Sequence, residues 1–478
     1  MPVTAGYRPD PRFPALGPEF ADPVQPAAFP QAIVRFRNDR AAAELGLDGL
    51  TDDEWIAAFA RFEPLPDVGF GPLAMRYHGH QFRVYNPQIG DGRGFLFAQL
   101  RDGRGRLIDL GTKGSGRTPW SRDGDGRLTL KGAVREVLAS EMLEALGVPT
   151  GRTFSVIETG EQLTRHDEPS PTRSAVLVRS LWSHVRIGTF QRLAFFGQSD
   201  ETRRLVDHVV EAYYPALLAT EGEARAAALL EAAVERCARL AARWMAAGFV
   251  HGVLNTDNLN LTGESFDYGP WRFLPYYKPG FTAAYFDEGG LYAYGRQAEA
   301  VFWNLQQLAA CLGTLTTDHA PLVTALNTFT DHYHRWLGEA FAARLGLRSR
   351  GPEADVALAV AALGLLRDGG EALRFEPLFF DWQGGLASEG RALGGTRGPL
   401  YAGEAFEVFR AALAEYEAAR TEALDHPYFA GAEPEEMLIG EVEAIWAAIA
   451  DGDDWSPLHA KLGRLDAARA AYALDPWR

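Results

Sequence analysis

Cysteine is nearly missing from this chain: Cys237 and Cys311 are the only two in 478 residues. That pair can build neither a disulfide framework nor a cysteine-based zinc site. Both lie in apolar, helix-like stretches, so they read as buried reduced thiols in a cytoplasmic protein. Positive charge is also short. Lys and Arg total 47 against 63 Asp and Glu, a net charge of −16. This argues against a general nucleic-acid binder, because affinity for a phosphate backbone needs a positive surface; a small basic pocket for one phosphorylated ligand is still compatible with it. Long apolar runs are absent. The longest, residues 356–366, has eleven residues, against the roughly 20 that cross a bilayer. The first 31 residues carry eight prolines and no apolar stretch of the signal-peptide kind, so no targeting segment is expected there. Internal repeats, low-complexity tracts and a Gly-x-Ser-x-Gly elbow are missing as well. The Gly111-Thr-Lys-Gly-Ser-Gly116 run lacks the spacing of a P-loop.

What is present is a globular composition arranged in two styles. Residues 1–50 read as an extended, proline-punctuated leader on the surface. Thr51 and Glu54 form a capping-box pattern ahead of Trp55, Ile56 and Phe59. From residue 69 to 130, short β-type runs alternate with Gly/Asp turns, and the runs 94–100 and 107–113 predict a hairpin. The 3–4 spacing of Val134, Val137, Leu138, Met142 and Leu146 predicts a helix over 131–146, stopped by Gly147 and Pro149. Two further β-type runs, 153–158 and 175–179, complete a mostly antiparallel sheet with one inserted helix. Beyond residue 200 the pattern turns helical, with helices expected at 221–247, 297–312, 320–345, 353–366, 403–424 and 434–450. A polar Gly/Asn/Asp-rich stretch interrupts them at 251–270. The chain is thus α+β, a small β-rich lobe with one helix followed by a larger helical lobe, an order suited to a ligand in the cleft between them.

Five groups of residues carry chemistry. Gly90-Asp-Gly-Arg-Gly94 precedes a strand; its glycines permit close backbone approach to phosphate oxygens, and Arg93 adds a charged fork. From Arg101 to Arg135 nine basic residues face four acidic ones, a basic island in an acidic chain whose economical ligand is a polyphosphate. Lys113 ends a β-run inside it. Glu136, with Glu141 as competitor, lies on the following helix where a carboxylate can hold Lys113. Arg179 and Arg186 suit phosphate oxygens. The most specific group is His251-Gly-Val-Leu-Asn-Thr-Asp257-Asn258 followed by Asp267-Tyr-Gly269. It offers hard oxygen ligands for Mg²⁺ and a carboxylate able to orient a hydroxyl nucleophile. The His78/His80 pair and the Asp123/Asp125 pair are weaker metal candidates.

These residues resemble the selenoprotein O family. The resemblance rests on Gly79-His-Gln-Phe82 through Gln88-Ile-Gly-Asp-Gly-Arg93, Lys113-Gly-Ser-Gly-Arg-Thr-Pro119, Gly124-Asp-Gly-Arg127, Arg135-Glu136, Ala145-Leu-Gly-Val-Pro149, Arg186-Ile-Gly-Thr-Phe190, His251–Asn258, Asp267–Pro270 and Trp303-Asn-Leu-Gln306, in order across residues 75–310. It implies a protein-kinase-like bilobal fold and protein adenylylation, the transfer of AMP from ATP to Ser, Thr or Tyr hydroxyls of other proteins, with ATP inverted relative to kinases. Carried over by position, Gly90, Gly92, Arg93, Lys113, Asp125 and Gly126 contact nucleotide, and Glu136 orients Lys113. Arg179 and Arg186 hold the inverted phosphates, Asp257 is the catalytic base, and Asn258 and Asp267 bind Mg²⁺ or Mn²⁺. The implied division is an N-terminal extension at 1–74, a nucleotide-binding lobe at 75–190, a catalytic lobe at 191–345 and a C-terminal helical region at 346–478. Expected partners are protein substrates and a nucleotide, without nucleic acid or membrane, and the chain is expected to act as a monomer. Three features depart from the family pattern: the absence of cysteine after Cys311, Arg83 in place of a small residue, and Tyr85-Asn-Pro87. The rival readings are a kinase-type phosphotransferase, a non-catalytic ATP-binding scaffold and a glycosyltransferase built on Asp123/Asp125.

Overall fold

The hairpin expected between residues 94 and 113 forms. Its strands, Leu96–Arg101 and Leu107–Lys113, pair antiparallel across a turn in which the Asp102 carboxylate accepts the N–H groups of Arg104 (2.9 Å) and Arg106 (2.8 Å). In a computed structural model, which describes residues 3–166 and 168–477, this hairpin lies at the centre of an eight-stranded antiparallel sheet. The strand order is Ala21–Pro23, Leu73–Met75, Leu96–Arg101, Leu107–Lys113, Thr172–Leu181, Arg152–Leu163 and Ile33–Arg37, and Leu128–Thr129 pairs with Thr172–Leu181 as well. The runs at 153–158 and 175–179 are thus the middles of a longer hairpin. The first fifty residues differ from the surface leader the prolines suggest. They supply both edge strands of the sheet and bury Phe13, Leu16, Phe20, Leu45 and Leu47. The capping box of Thr51 and Glu54 opens the helix Asp52–Phe59 as expected; from it Trp55 stacks on Phe154 of the sheet and Phe59 meets the same ring edge-on.

The helix Leu130–Ala145 lies on the sheet. The Thr129 hydroxyl caps it by accepting the Gly132 N–H (3.1 Å), and Leu130, Ala133 and Val137 pack on Val156, Ala175 and Leu177. After the sheet the chain is helical, beginning with Ile187–Phe195, Ser199–Tyr213 and the long Gly222–Ala246. Gln297–Leu312 matches its expected span, whereas the helix read at 320–345 is broken at Thr328 into Ala320–Asn327 and Phe329–Arg344. The helix read at 403–424 stops at Leu413. Two last helices, Ile439–Gly452 and Ser456–Tyr472, return to the sheet side, where Trp446, Trp455 and Leu462 cover the outer face of Leu130–Ala145.

The fold is therefore mixed α/β, with an antiparallel sheet built from residues 21–181 and a helical body after residue 187. Among the described residues no helix is long and apolar enough to cross a membrane. Cys237 and Cys311 are buried free thiols, and burial pushes both up to about 12.

Candidate active site

A cleft of about 760 Å³ opens where the sheet meets the helical body. Ten of the twelve residues that the family resemblance assigns line it: Gly90, Gly92, Arg93, Lys113, Asp125, Gly126, Arg179, Arg186, Asp257 and Asp267. Glu136 stands behind Lys113, and Asn258 follows Asp257 on the adjoining loop.

Lys113 is the last residue of its strand, buried, and lines the cleft. Its ammonium is bonded to Glu136 and, at 2.7 Å, to Asp267 Oδ1. The choice left open between Glu136 and Glu141 is thereby resolved. Five residues along a helix turn the side chain by about 140°, and Glu141 points the other way, into bonds from Asn38 (3.0 Å), Arg40 (3.0 Å) and Arg469.

Period-two alternation puts Asp109, Gly111 and Lys113 on one face of their strand, and the register places Arg179 directly across from Gly111. Arg179 Nη1 is 3.5 Å from Asp267 Oδ1. Arg186 donates to Asp91 Oδ1 (2.9 Å), and its guanidinium lies 4.2 Å from the Tyr77 ring centre. Asp91 was not singled out by motif, yet it holds an arginine of the cleft while its other oxygen accepts the Met75 N–H (3.1 Å). The signal available was an acid between two glycines on the loop before the strand.

The glycines of 90–94 have a packing role. A side chain at Gly90 would enter the Trp120 ring, and one at Gly94 would strike the Thr112 carbonyl oxygen. The loop also carries the Arg93 carbonyl that accepts the Gly114 N–H (2.6 Å), tying it to the Lys113 loop. Asp125 lines the cleft with its carboxylate gripped by Arg165 (2.8 Å). The basic island is mostly committed elsewhere: Arg101 pairs with Asp10, Arg104 with Asp475, Arg106 with Asp102, Arg127 with Glu161, and Lys131 and Arg135 with Glu443. Its local excess is therefore not a free polyphosphate cradle, and the cleft's buried cations come from three separate elements: Lys113, Arg179 and Arg186.

On the opposite wall, the loop bearing Asp257 is braced from several directions. Asn255 Oδ1 accepts from the Phe82 N–H (3.0 Å) and the Tyr292 hydroxyl (2.8 Å), the Thr256 hydroxyl oxygen accepts from the His80 N–H (2.7 Å), and Asn304 donates to the Leu254 carbonyl (2.9 Å). His251 accepts at Nδ1 from the Val253 N–H (3.3 Å), so its Nε2–H donates to the Phe266 carbonyl (3.0 Å). Asp257 Oδ1 is buried without a hydrogen-bond partner. Burial pushes the Asp257 carboxyl up to about 7, against the pull of Arg186. Asp267 goes the other way: burial would raise it, but Lys113, Arg179 and Arg93 hold it well below the usual carboxylate range. One carboxylate is thus tuned to exchange a proton near neutrality and the other to stay ionised. Asp267 has φ +62°, an αL backbone that aspartate tolerates better than most residues. Arg83 shares that conformation at the tip of the 79–86 hairpin, φ +62°, where a small residue fits the family pattern; its guanidinium rests 5.4 Å from the Trp303 ring centre and pairs with Glu299.

The donors present fit a hard divalent cation. Asn258 commits its amide nitrogen to the Val253 carbonyl (3.1 Å), which leaves its oxygen as the atom available to a cation, and Asp267 is held toward its ionised form. Mg²⁺ takes one or two protein oxygens of this kind and completes its shell with water and phosphate. Among the described residues no three His, Cys, Asp or Glu side chains gather as a metal-binding group.

The family model for "Protein adenylyltransferase SelO" matches residues 4–465. Among curated relatives, the "Protein nucleotidyltransferase YdiU" of Synechococcus elongatus is 55% identical over 350 residues, covering 72% of this chain and 68% of the relative. The one of Gloeobacter violaceus is 46% identical over 480 residues, covering 97% and 95%. The one of a Synechocystis strain is 43% identical over 469 residues, covering 94% and 96%. A match over nearly the whole length, joined to the cleft residues above, places this chain in the SelO family.

Proposed function

We propose that this nucleotidyltransferase transfers AMP from ATP to a Ser, Thr or Tyr hydroxyl of a protein, on a protein-kinase-like pair of lobes with ATP inverted relative to kinases. The observation that carries the reading is the single cleft in which the buried cations Lys113, Arg179 and Arg186 face the carboxylates Asp257 and Asp267. Phosphoryl-type transfer is chiefly positioning and charge neutralisation, and those cations supply both. Lys113, Arg179 and Arg186 grip the β- and γ-phosphates, the Gly90–Arg93 loop and the Asp125-Gly126 turn border the nucleotide, and the α-phosphate faces Asp257. Asn258 and Asp267 hold Mg²⁺ or Mn²⁺, which when bound neutralises phosphate charge.

Asp257 accepts the proton of the incoming hydroxyl. The hydroxyl oxygen forms a bond to the α-phosphorus, the bond from that phosphorus to the bridging oxygen breaks, and pyrophosphate departs with the electron pair. A carboxyl poised near 7 suits this work better than a fully ionised one, because a stronger base takes the proton more readily while much of it remains unprotonated. The nearest rival, a kinase-type transfer, uses the same side chains with the γ-phosphate beside Asp257.

Asp257→Asn tests the assignment. ATP binding measured by calorimetry is retained, and incorporation of AMP into protein is lost. A wild type as silent as the variant, with both binding ATP, identifies a non-catalytic scaffold instead.

A further inference from the structure

Arg179 and Arg186 are held by different chemistry. Arg186 touches a carboxylate, Asp91. The Arg179 guanidinium has Asp267 Oδ1 3.5 Å from its Nη1, but its Nε donates to His184 Nε2 at 3.3 Å. A guanidinium can only donate, so Nε2 carries no proton and the ring proton is on Nδ1, 3.3 Å from Asp109 Oδ2. The same Asp109 oxygen accepts the His184 backbone N–H (2.8 Å), and the other accepts the Gln99 amide (2.7 Å), whose own oxygen accepts the Phe13 N–H (2.7 Å). Gln99, Asp109, Arg179 and His184 are all buried. Burial lowers the proton affinity of the imidazole, Asp109 raises it, and Arg179 and Arg186 lower it again; the net fall keeps the ring neutral. Gly111, across the sheet from Arg179, makes the room: any side chain there would occupy the place of His184 Nε2. Arg179 Nη1 is left buried with no hydrogen-bond partner.

A carboxylate at Nε would offset more of the guanidinium's charge, whereas a neutral imidazole directs that nitrogen without adding to the offset from Asp267. We infer that His184, oriented by Asp109, is a positioning residue that aims the Arg179 guanidinium at a nucleotide phosphate without adding a second negative charge to that of Asp267. The inference rests on the assignment of Arg179 as a phosphate ligand.

Affinities of the full chain for ATP and for adenosine, measured by calorimetry, test it. In His184→Phe the acceptor is lost, and in Gly111→Ala the ring is driven aside without touching Arg179. Each weakens ATP binding about tenfold, the worth of one hydrogen bond to a charged group, and leaves adenosine binding at the wild-type value, which also certifies a folded cleft. His184→Gln, whose side-chain oxygen can take over as acceptor, restores most of the ATP affinity. Equal loss of ATP and adenosine binding in both variants marks a merely structural histidine and overturns the inference. Wild-type ATP binding by His184→Phe and Gly111→Ala, with ATP binding weakened in Arg179→Gln, overturns it while sparing the assignment beneath. Wild-type ATP binding by Arg179→Gln overturns that assignment itself.

Discussion

Glu136→Gln probes the centre of the site, where Lys113 has two carboxylate partners. The substitution keeps the shape of the side chain and removes its charge. Lys113 is not stranded, because Asp267 remains 2.7 Å away. The stability cost is therefore about 1–2 kcal/mol, the difference between a charge-assisted and a neutral hydrogen bond, rather than the roughly 3–5 kcal/mol of a buried charge left alone. Function suffers more. With Glu136 neutral, the ammonium is drawn toward Asp267, and a displacement of about 1 Å in such a group costs on the order of 100-fold in rate. Glu141→Gln is the paired control. It touches Arg40, Asn38 and Arg469 but not Lys113, so it costs stability and spares the rate of the folded fraction. Urea unfolding and AMP incorporation into protein at saturating ATP separate the two quantities. Wild-type turnover by Glu136→Gln, or abolished turnover by a fully folded Glu141→Gln, would refute the reasoning.

Two further substitutions test the frame around the cleft. Glu264 is buried against the Trp182 N–H (2.9 Å) and the Thr262 hydroxyl (3.1 Å), and burial pushes its carboxyl from 4.5 up to about 7. Between those values the folded state keeps a proton that the unfolded state releases, so this group's contribution is fully present below 4.5 and is lost as pH rises through 7. The span is worth at most about 3 kcal/mol, and Glu264→Gln should flatten that slope in unfolding curves taken from pH 5 to 8; an unchanged slope contradicts the assignment. Gly94→Ala drives a methyl group into the Thr112 backbone and should cost about 1–3 kcal/mol or more, while Gly103→Ala, which meets open space, should be near neutral; equal midpoints in denaturant for the two would count against the close-packing account.

What the sequence made legible was local or periodic. The Thr51/Glu54 capping box needs only four residues, and the strand that ends at Lys113 shows as a β-type run beside a Gly/Asp turn. Residue pattern did not separate Glu136 from Glu141, because thirteen of the sixteen residues of Leu130–Ala145 are buried on both faces; the family resemblance is what pointed to Glu136. The edge strands at Ala21–Pro23 and Ile33–Arg37 were hidden for another reason. An edge strand is defined by its partner, here Leu73–Met75 and Arg152–Leu163, far along the chain. Asp91 and His184 belong to the same class: each acquires its role from an arginine or a carboxylate that only folding brings near. The helix Ser199–Tyr213 is different, since its stripe of Leu205, Val206, Val209, Val210 and Tyr213 is readable at helical spacing, and the sequence reading passed over it.

The central claim is that the phosphate beside Asp257 is the α-phosphate. The most direct measurement is to incubate the wild-type chain and a protein acceptor with a divalent ion and ATP labelled at either the α- or the γ-phosphate. The account predicts label on protein from α-labelled ATP, none from γ-labelled ATP, and release of pyrophosphate; label on protein from the γ-phosphate alone would contradict it.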